Sequence, residues 1–466
     1  MMMKFFSRLT IFGLILGSTA IMAQGTAPAA KPVEKPWYEK VEYSGFVDVN
    51  YMYNANNKEG RTPDSTGGLN TYNKQFQVAA VELDIEKVAD KESPWGFRVD
   101  FQNGTNNPYQ ENPYTAVGGT YNMNLLQQAY VSFYFDVLEG LTIDVGKMAT
   151  HIGYEVIESM DNLNYNVGYI FFNTVPFINT GARANLGLTE DWSLGLFLYN
   201  SAGGTGADAT AYAAGKNGYG DGNTRRKAVG TQLSGTIIEG LLDITWNTLY
   251  GIDGTNGRQS NANVWASEYT GIPLLAKEAG NDDYWLINNV ILEITPTDGL
   301  YFALDYTQGE KGGAAGNAND GTTFNTSVST NALSLTRDDA TVKYTYRTYG
   351  VWAKYDFSDE FALALRYERI DDSRNGGALG VGGRIGANER YDLQYLGGAT
   401  GNTAAGRYYL GSAQTFTVTP TYYWGENVIV KLDLRRDEAK GQQFVNEKGQ
   451  PSSYQNGATL GIVAKF

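Results

Sequence analysis

Residues Trp95–Gln102 read WGFRVDFQ, so a large apolar side chain alternates with a glycine or a polar side chain over the whole stretch. Successive side chains of a β-strand point to opposite faces, which gives such a strand one apolar and one polar face. Residues Val428–Arg435 (VIVKLDLR) and Leu460–Phe466 (LGIVAKF) repeat the alternation. The chain is therefore predicted to be all-β, with each strand separating an apolar from a polar environment.

The connectors between the predicted strands alternate strictly between short and long. Seven short turns lie at residues 89–94, 137–140, 189–191, 239–240, 296–299, 358–360 and 425–427. Eight long polar connectors lie at residues 55–72, 104–122, 150–173, 201–224, 251–281, 309–339, 371–410 and 439–456. Short periplasmic turns and long outer loops are typical of a transmembrane antiparallel β-barrel, whereas soluble sandwiches lack this regularity. Seven turns and eight loops predict about 16 strands.

The aromatic content of 13% fits such a barrel, because aromatic side chains form girdles at both membrane interfaces. Six aromatic residues beside the short turns are expected at the inner lipid interface: Trp95, Phe135, Trp192, Tyr301, Phe361 and Trp424. After residue 23 the chain has no apolar run of 18 residues, so membrane-spanning helices are not expected.

Three regions follow from the sequence. Residues 1–23 resemble a secretory signal peptide, with Lys4 and Arg8 in the positive region and an apolar stretch at Leu9–Met22. Residues 24–40, rich in Ala, Pro and Lys, are expected to form an extended periplasmic lead. Residues 41–466 are predicted to form the transmembrane barrel.

Composition argues against several classes of protein. The net charge of −14 disfavours nucleic acid as a partner, because phosphate binding needs concentrated Lys and Arg. The chain has no Cys and a single His, so a zinc site with several such ligands is excluded, and no cofactor or metal is expected. His151 lacks an accompanying Gly-x-Ser-x-Gly motif, so no enzymatic activity is expected and His151 is interpreted as a hydrogen-bonding anchor.

The third outer loop, residues 150–173, differs from the other long connectors because it is rich in large apolar residues such as Ile152, Ile157 and Phe171. A solvated loop does not carry that much apolar surface, so the loop is expected to fold into the lumen and pack on the inner wall. A cap over the barrel mouth and a contact with a neighbouring subunit are the alternatives. Folded inward, the loop would narrow the pore with Tyr154, Glu155, Glu158, Asp161, Asn164 and Tyr165.

The strand period also assigns charged side chains to the lumen, because Lys or Arg is costly on the lipid face. The principal ones are Arg98, Asp100, Arg183, Lys354, Arg366, Glu368, Lys431 and Arg435, and further inward acids include Asp48, Asp305 and Asp433. We hypothesise that Glu155 and Glu158 lie opposite barrel arginines such as Arg98, Arg183 and Arg366, with a mild cation preference.

Three stretches of the chain resemble a known family. Residues Gly153–Ser159 (GYEVIES), Asn162–Tyr165 (NLNY) and Val175–Arg183 (VPFINTGAR) are similar to the putative β-barrel porin-2 family of outer-membrane proteins. The resemblance implies a porin-like barrel in the bacterial outer membrane and implies no particular solute. Phe466, which ends an alternating strand, resembles the signal that the outer-membrane barrel assembly machinery recognises.

The resulting expectation is a porin that forms a water-filled channel for passive diffusion of small hydrophilic solutes or ions. Its expected partners are outer-membrane lipid, the assembly machinery and the permeating solutes, and a homotrimer is left open. The alternative is a surface adhesin or structural barrel whose long outer loops bind a partner.

Overall fold

The computed structural model describes residues 36–56, 60–61, 72–106, 126–200, 202, 227–252, 284–314, 341–374, 411–439, 444–446, 448 and 451–466. The predicted signal peptide and most of the N-terminal lead lie outside these residues. So do parts of seven of the eight long connectors. The third long connector, between residues 149 and 178, is described over its whole length.

Sixteen long strands form the wall of the molecule. The first eight are β1 (Glu42–Asn54), β2 (Gln75–Lys87), β3 (Trp95–Asn103), β4 (Leu126–Phe135), β5 (Leu141–Ala149), β6 (Ile178–Gly187), β7 (Trp192–Tyr199) and β8 (Ala228–Ile238). The second eight are β9 (Leu242–Ile252), β10 (Tyr284–Thr297), β11 (Leu300–Ala314), β12 (Thr341–Asp356), β13 (Phe361–Arg374), β14 (Gly411–Trp424), β15 (Val428–Ala439) and β16 (Tyr454–Lys465).

Smaller elements accompany the wall. A 3-10 turn at Trp37–Lys40 precedes β1, and a six-residue helix, α1 (Tyr169–Thr174), lies between β5 and β6. Two-residue strands occur at Gly60–Arg61, Tyr72–Asn73, Phe444–Val445 and Pro451–Ser452. Within the described residues, no helix is long and apolar enough to cross a membrane.

Each wall strand pairs antiparallel with its sequence neighbours, and the ring is closed by pairing of β1 with β16 from Phe46↔Lys465 to Asn54↔Gly457. Closure leaves no free sheet edge, as a membrane barrel requires. The fold class predicted from the alternation is confirmed, and so are the 16 strands with their seven short and eight long connectors. Several of the short turns place glycine at positive φ, for example Gly240 at 71° and Gly425 at 64°.

The two faces of the strands have the expected composition. On β15, Lys431, Asp433 and Arg435 are buried inside the ring, whereas Leu434 on the opposite face is 48% exposed. The apolar outer face therefore meets lipid, and the polar inner face meets the contents of the barrel.

The aromatic prediction holds for five of the six residues. Trp95, Phe135, Phe361 and Trp424 are exposed on the outer face, and Trp192 shares the outer face of β7 with Leu196. The assignment of Tyr301 to this girdle was wrong. Tyr301 shares the inner face of β11 with Ala303 and Asp305, because side chains two residues apart lie on the same side of a strand.

Candidate functional site

The candidate site is the segment of residues 150–177, which joins β5 to β6 and contains α1. Its apolar side chains, including Ile152, Val167 and Phe171, pack in one cluster with Trp285 and Ile287 of β10 and other inward residues. The segment's polar groups contact β1, β4, β10, β11, β13, β14 and β15; the β10 contact is the Gly153 N–H, which donates to Asn289 at 3.3 Å. Because these strands stand around the ring, the segment lies across the interior of the barrel.

Two charged residues of β15 hold the middle of the segment by its backbone. Lys431 Nζ donates to the carbonyl oxygens of Ser159 at 2.8 Å and Met160 at 3.2 Å, and also to that of Asn162. The Asp433 carboxylate accepts the backbone N–H of Tyr165 at 3.0 Å and that of the next residue at 2.7 Å. These contacts satisfy backbone groups that have no secondary-structure partner in an irregular loop.

Residues of β13 hold the segment both at Glu155 and at residues 166–170. Arg366 Nη1 lies 2.5 Å from Glu155 Oε1 and also donates to the Asn166 carbonyl at 2.5 Å. The Glu368 carboxylate accepts the N–H groups of Tyr169 at 2.9 Å and Ile170 at 3.1 Å, at the start of α1. The Arg366 and Glu368 side chains are fully buried, so these charges face the segment and not an aqueous pore.

The opposite walls add neutral and acidic contacts. Asp48 of β1 accepts the hydroxyls of Tyr165 and Ser159, each at 2.6 Å. On β11, Asp305 accepts the Tyr154 N–H at 3.1 Å, and the Tyr154 hydroxyl donates to that of Tyr301 at 3.1 Å. Two further bonds join Asn164 to Thr419 of β14 at 2.6 Å and Arg435 to the Val167 carbonyl at 3.1 Å.

Two inward glycines make room for the segment. A Cβ at Gly461 of β16 would lie 2.1 Å from the Tyr165 ring, and one at Gly230 of β8 would lie 2.9 Å from the His151 ring. A side chain at either place would displace the aromatic ring that packs there.

Glu158 and Asp161 occupy a different side of the segment. Gln127 of β4 donates to Glu158 at 2.8 Å. Burial raises the pKa of Glu158 to about 7, the Asp161 charge raises it further, and Gln127 and Arg98 oppose the shift. The surrounding protein atoms also desolvate Asp161 and raise its pKa, although the residue is exposed to the lumen, and the charges of Lys431, Lys465 and Arg98 oppose the shift. Arg98 of β3 therefore acts electrostatically on both acids of the segment.

The wall from β2 to β6 carries charges that pair with one another. Arg98 Nε lies 2.8 Å from Asp100, and Arg183 Nε lies 2.6 Å from Asp144. The Arg98 side chain is 30% exposed, unlike the fully buried Arg366. Lys354 lies near the short-turn end, 2.9 Å from Asp356 and away from the segment. Among the described residues, the carboxylates of Glu82, Asp84 and Asp100 lie within 4.8 Å of one another and are the group that could hold a metal ion.

The sequence analysis placed Glu155 and Glu158 opposite barrel arginines such as Arg98, Arg183 and Arg366. In the structure Glu155 contacts Arg366 directly, and both side chains are buried. Glu158, by contrast, lies within the electrostatic influence of Arg98 without an ion-pair contact. The sequence reasoning did not predict that Asp305, Glu368, Lys431 and Asp433 bind the backbone of the segment. Inward glycines such as Gly461 were a signal that could have located the docking positions.

His151 stands at the start of the segment and ties it to β7 and β9. Its Nδ1 lies 3.2 Å from the Tyr199 hydroxyl and its Nε2 lies 3.0 Å from the Thr248 carbonyl. The ring also stacks on Phe197, with centroids 3.8 Å apart. Burial lowers the pKa of His151 to about 4, the Arg183 charge lowers it further, and the Thr248 carbonyl opposes the shift. His151 is therefore neutral at pH 7 and has the contacts of a hydrogen-bonding anchor.

Acidification is expected to loosen this anchor. The pKa of about 4 in the docked state lies below the ordinary value of 6.5, so the released state binds more protons between these values. The contribution of His151 to the free energy of docking is fully present above pH 7. It falls as the pH drops through 6.5, by up to about 3 kcal/mol at pH 4. Amide exchange of residues 150–157, corrected for intrinsic rates, checks this at pH 7 and pH 5.

The matched control is His151→Gln, which cannot titrate and should lose this part of the pH dependence. The raised pKa of Glu158 acts in the opposite direction, because acid favours its docked form, but Glu158 is present in both proteins. Equal pH dependence in the native and His151→Gln proteins would contradict the assignment.

A closed 16-stranded antiparallel barrel with an apolar outer face defines the class of bacterial outer-membrane porins and related channels. The chain belongs to the family described as putative beta-barrel porin-2, OmpL-like, whose model matches residues 40–466. The resemblance stated from the sequence and the outer-membrane location are thereby confirmed.

Solved structures of outer-membrane proteins share the fold. The outer membrane channel DcaP of Acinetobacter baumannii has a TM-score of 0.50 and 10% identity, covering 91% of this chain and 97% of that chain. OmpF of Salmonella typhi has a TM-score of 0.50 and 13% identity, covering 91% and 97%. OprB of Pseudomonas putida has a TM-score of 0.50 and 11% identity, covering 92% and 95%. None of the curated proteins matches the chain.

Proposed function

We propose that the protein is a passive diffusion channel for small hydrophilic solutes or ions, narrowed by the 150–177 segment and mildly selective for cations. The observation that carries the proposal is the uneven anchoring of this segment around the ring. Its contacts with β10, β11, β13, β14 and β15 are dense, whereas the charged side chains of β2 to β6 pair mainly with one another.

The narrow passage is placed between Glu158 and Asp161 on the segment and Arg98 on the wall. Arg98 is partly exposed, so water reaches this side of the lumen. Asp84 of β2, whose carboxylate lies beside those of Glu82 and Asp100, adds to Glu158 and Asp161 and gives the passage an excess of carboxylates over guanidinium groups. Charged groups at a constriction discriminate between ions by sign, and the excess here favours cations.

Selectivity is expected to depend on Glu158 and Asp161. A unit charge about 5 Å from an ion in a water-like medium contributes about 0.8 kcal/mol, or about a four-fold change in permeability ratio. The double substitution Glu158→Gln with Asp161→Asn should therefore move the reversal potential in a salt gradient toward zero. Because the pKa of Glu158 is about 7, native cation preference should rise between pH 6 and pH 8 as this carboxyl ionises.

The matched control removes two exposed acids of a short turn, as Asp359→Asn with Glu360→Gln, and should leave the reversal potential near the native value. The double variant is compared with Glu158→Gln alone, because Glu158 interacts electrostatically with Asp161, Glu82 and Arg98. Clear anion selectivity of the native channel would overturn the cation preference.

The rest of the proposal concerns processing and assembly. It comprises a signal peptide at residues 1–23, a periplasmic lead at residues 24–40, recognition of Phe466 by the barrel assembly machinery, and a homotrimer. Recognition of Phe466 is supported by its exposure: the residue is 67% exposed beside β1, where its N–H donates to the Gly45 carbonyl at 3.0 Å. A barrel that inserts in planar bilayers but stays silent would favour the adhesin alternative.

A further inference from the structure

Three arginines stand on the lipid-facing side of the wall: Arg347 on β12, Arg369 on β13 and Arg436 on β15. Arg347 alternates with the buried Tyr346 and Thr348 and shares its face with the exposed Tyr349. Arg369 and Arg436 likewise alternate with buried neighbours and are exposed. Arginine on a face that meets lipid needs an explanation, because a guanidinium cannot shed its charge there.

Their depth in the membrane is similar. Arg347 precedes the last residue of β12 by nine positions, and the other two follow the first residue of their strands by eight. At about 3.4 Å per residue and a tilt of about 40°, these positions lie ~20–23 Å from the short-turn end. The apolar band of such barrels is about 25 Å tall, so the three arginines stand at its far edge, on the side of the long connectors.

The register brings two of them together. Tyr349 pairs with Arg369 and Arg347 pairs with Asp371, so Arg347 and Arg369 are diagonal neighbours at about 7–8 Å between Cα atoms. Arg436 lies two strands away from Arg369. Tyr367 of β13 pairs with Phe416 of β14, which in turn pairs with Arg436 of β15. Two guanidinium groups at this spacing can converge on one phosphate, each with two parallel N–H donors.

The surroundings suit the membrane interface. The rings of Tyr306 and Tyr349 are 5.3 Å apart, and the Arg436 guanidinium lies 4.7 Å from the Tyr454 ring. Phenol rings prefer the headgroup level, with one side in hydrocarbon and one side wet. Arg436 pairs with Glu438 at 2.7 Å and Arg347 stands directly opposite Asp371, so Arg369 is the principal phosphate ligand and Arg347 is shared between Asp371 and the phosphate.

The other end of the barrel has the opposite charge. Each of the seven short turns carries at least one Asp or Glu, and Lys91 is their one basic residue. An anionic headgroup is therefore repelled at the short-turn end and attracted at the edge formed by the arginines.

We propose that Arg347 and Arg369, flanked by Arg436 and the tyrosines, form a binding site for a phosphate-bearing anionic lipid headgroup in the leaflet at the long-connector end. The site is on the outer face of the barrel and is independent of the channel proposed above. It holds a lipid at β12 and β13, and the inner face of β13 also anchors the 150–177 segment.

Native mass spectrometry of the full protein in a non-ionic detergent tests this site. Phosphatidylglycerol and phosphatidylcholine with the same acyl chains are titrated separately into the native protein, into Arg347→Gln with Arg369→Gln, and into Lys40→Gln with Lys91→Gln. The native protein and the lysine variant should bind phosphatidylglycerol about ten-fold or more tightly than phosphatidylcholine. The arginine variant should lose this preference at an unchanged thermal transition.

Two further measurements identify the ligand. Arg347→Lys with Arg369→Lys keeps the charge and loses the paired donors, so an intermediate preference is expected. Inorganic phosphate at millimolar concentration should displace little phosphatidylglycerol. Equal binding of the two lipids by the native protein, an unchanged preference in the arginine variant, or complete displacement by phosphate would each overturn the lipid site.

Discussion

Replacing Arg366 with methionine is expected to release the 150–177 segment from β13 and to turn a steady channel into a noisy one. The Arg366 guanidinium contacts Glu155 at 2.5 Å and the Asn166 carbonyl at 2.5 Å, and its side chain is fully buried. Removing one partner of a buried ion pair typically costs about 3–5 kcal/mol, because the other charge stays buried without compensation.

Glu155 would retain two donors after this change. The Gly168 N–H lies 2.6 Å from its carboxylate and Trp352 Nε1 lies 3.3 Å from it. These neutral donors do not replace a guanidinium. The part of the segment around Glu155 is therefore expected to leave the wall, so that the carboxylate becomes hydrated. We expect faster amide exchange in residues 153–170 and larger current fluctuations in the open channel.

The double substitution Glu155→Gln with Arg366→Met separates the charge effect from lost packing. It removes both charges and should be less damaging than Arg366→Met alone, which a double-mutant cycle measures. Lys91→Gln is the control, since it breaks an exposed ion pair with Asp136 at 2.6 Å and should leave exchange and current noise unchanged. Native-like exchange in Arg366→Met would contradict the role of Arg366 as an anchor.

Deleting residues 153–166 is expected to increase single-channel conductance several-fold while leaving the barrel folded. The deletion removes the part of the segment that Lys431, Asp433 and Asp48 hold. None of the strand pairings of the sixteen wall strands in the described residues involves residues 153–166, so the backbone hydrogen bonds of the wall survive.

The exposed wall charges should not unfold the widened barrel. Asp305, Asp433 and Lys431 would face water in place of the segment, and a hydrated charge carries no desolvation penalty. The cation preference should fall as well, because Glu158 and Asp161 are removed together with the narrow passage. An equally long deletion at residues 385–398, within a long connector outside the described residues, is the control and should change conductance little.

Much of the fold could be predicted because two physical constraints act locally. The alternation in Trp95–Gln102 forces one face toward lipid, and the alternation of short and long connectors fixes the order of the strands. The apolar packing of the third loop could be predicted as well, since Ile152, Ile157 and Phe171 need an apolar surface to pack on.

The partners of the segment were beyond the reach of the sequence. Glu155 and Arg366 are 211 residues apart, and only closure of the ring brings β13 to this side of the segment. The face of Tyr301 was misassigned for a related reason, because its strand position was read from aromatic preference and not from the register with Ala303 and Asp305. The strand period placed Glu368, Lys431 and Asp433 in the lumen, but it could not show that these side chains bind the backbone of the loop.

Single-channel conductance in planar bilayers, recorded side by side for the native protein and the 153–166 deletion, tests whether the barrel is an open channel narrowed by the 150–177 segment. We expect stable conductance steps for the native protein and steps several-fold larger for the deletion variant. A silent native barrel, or equal steps from both proteins, would contradict this expectation.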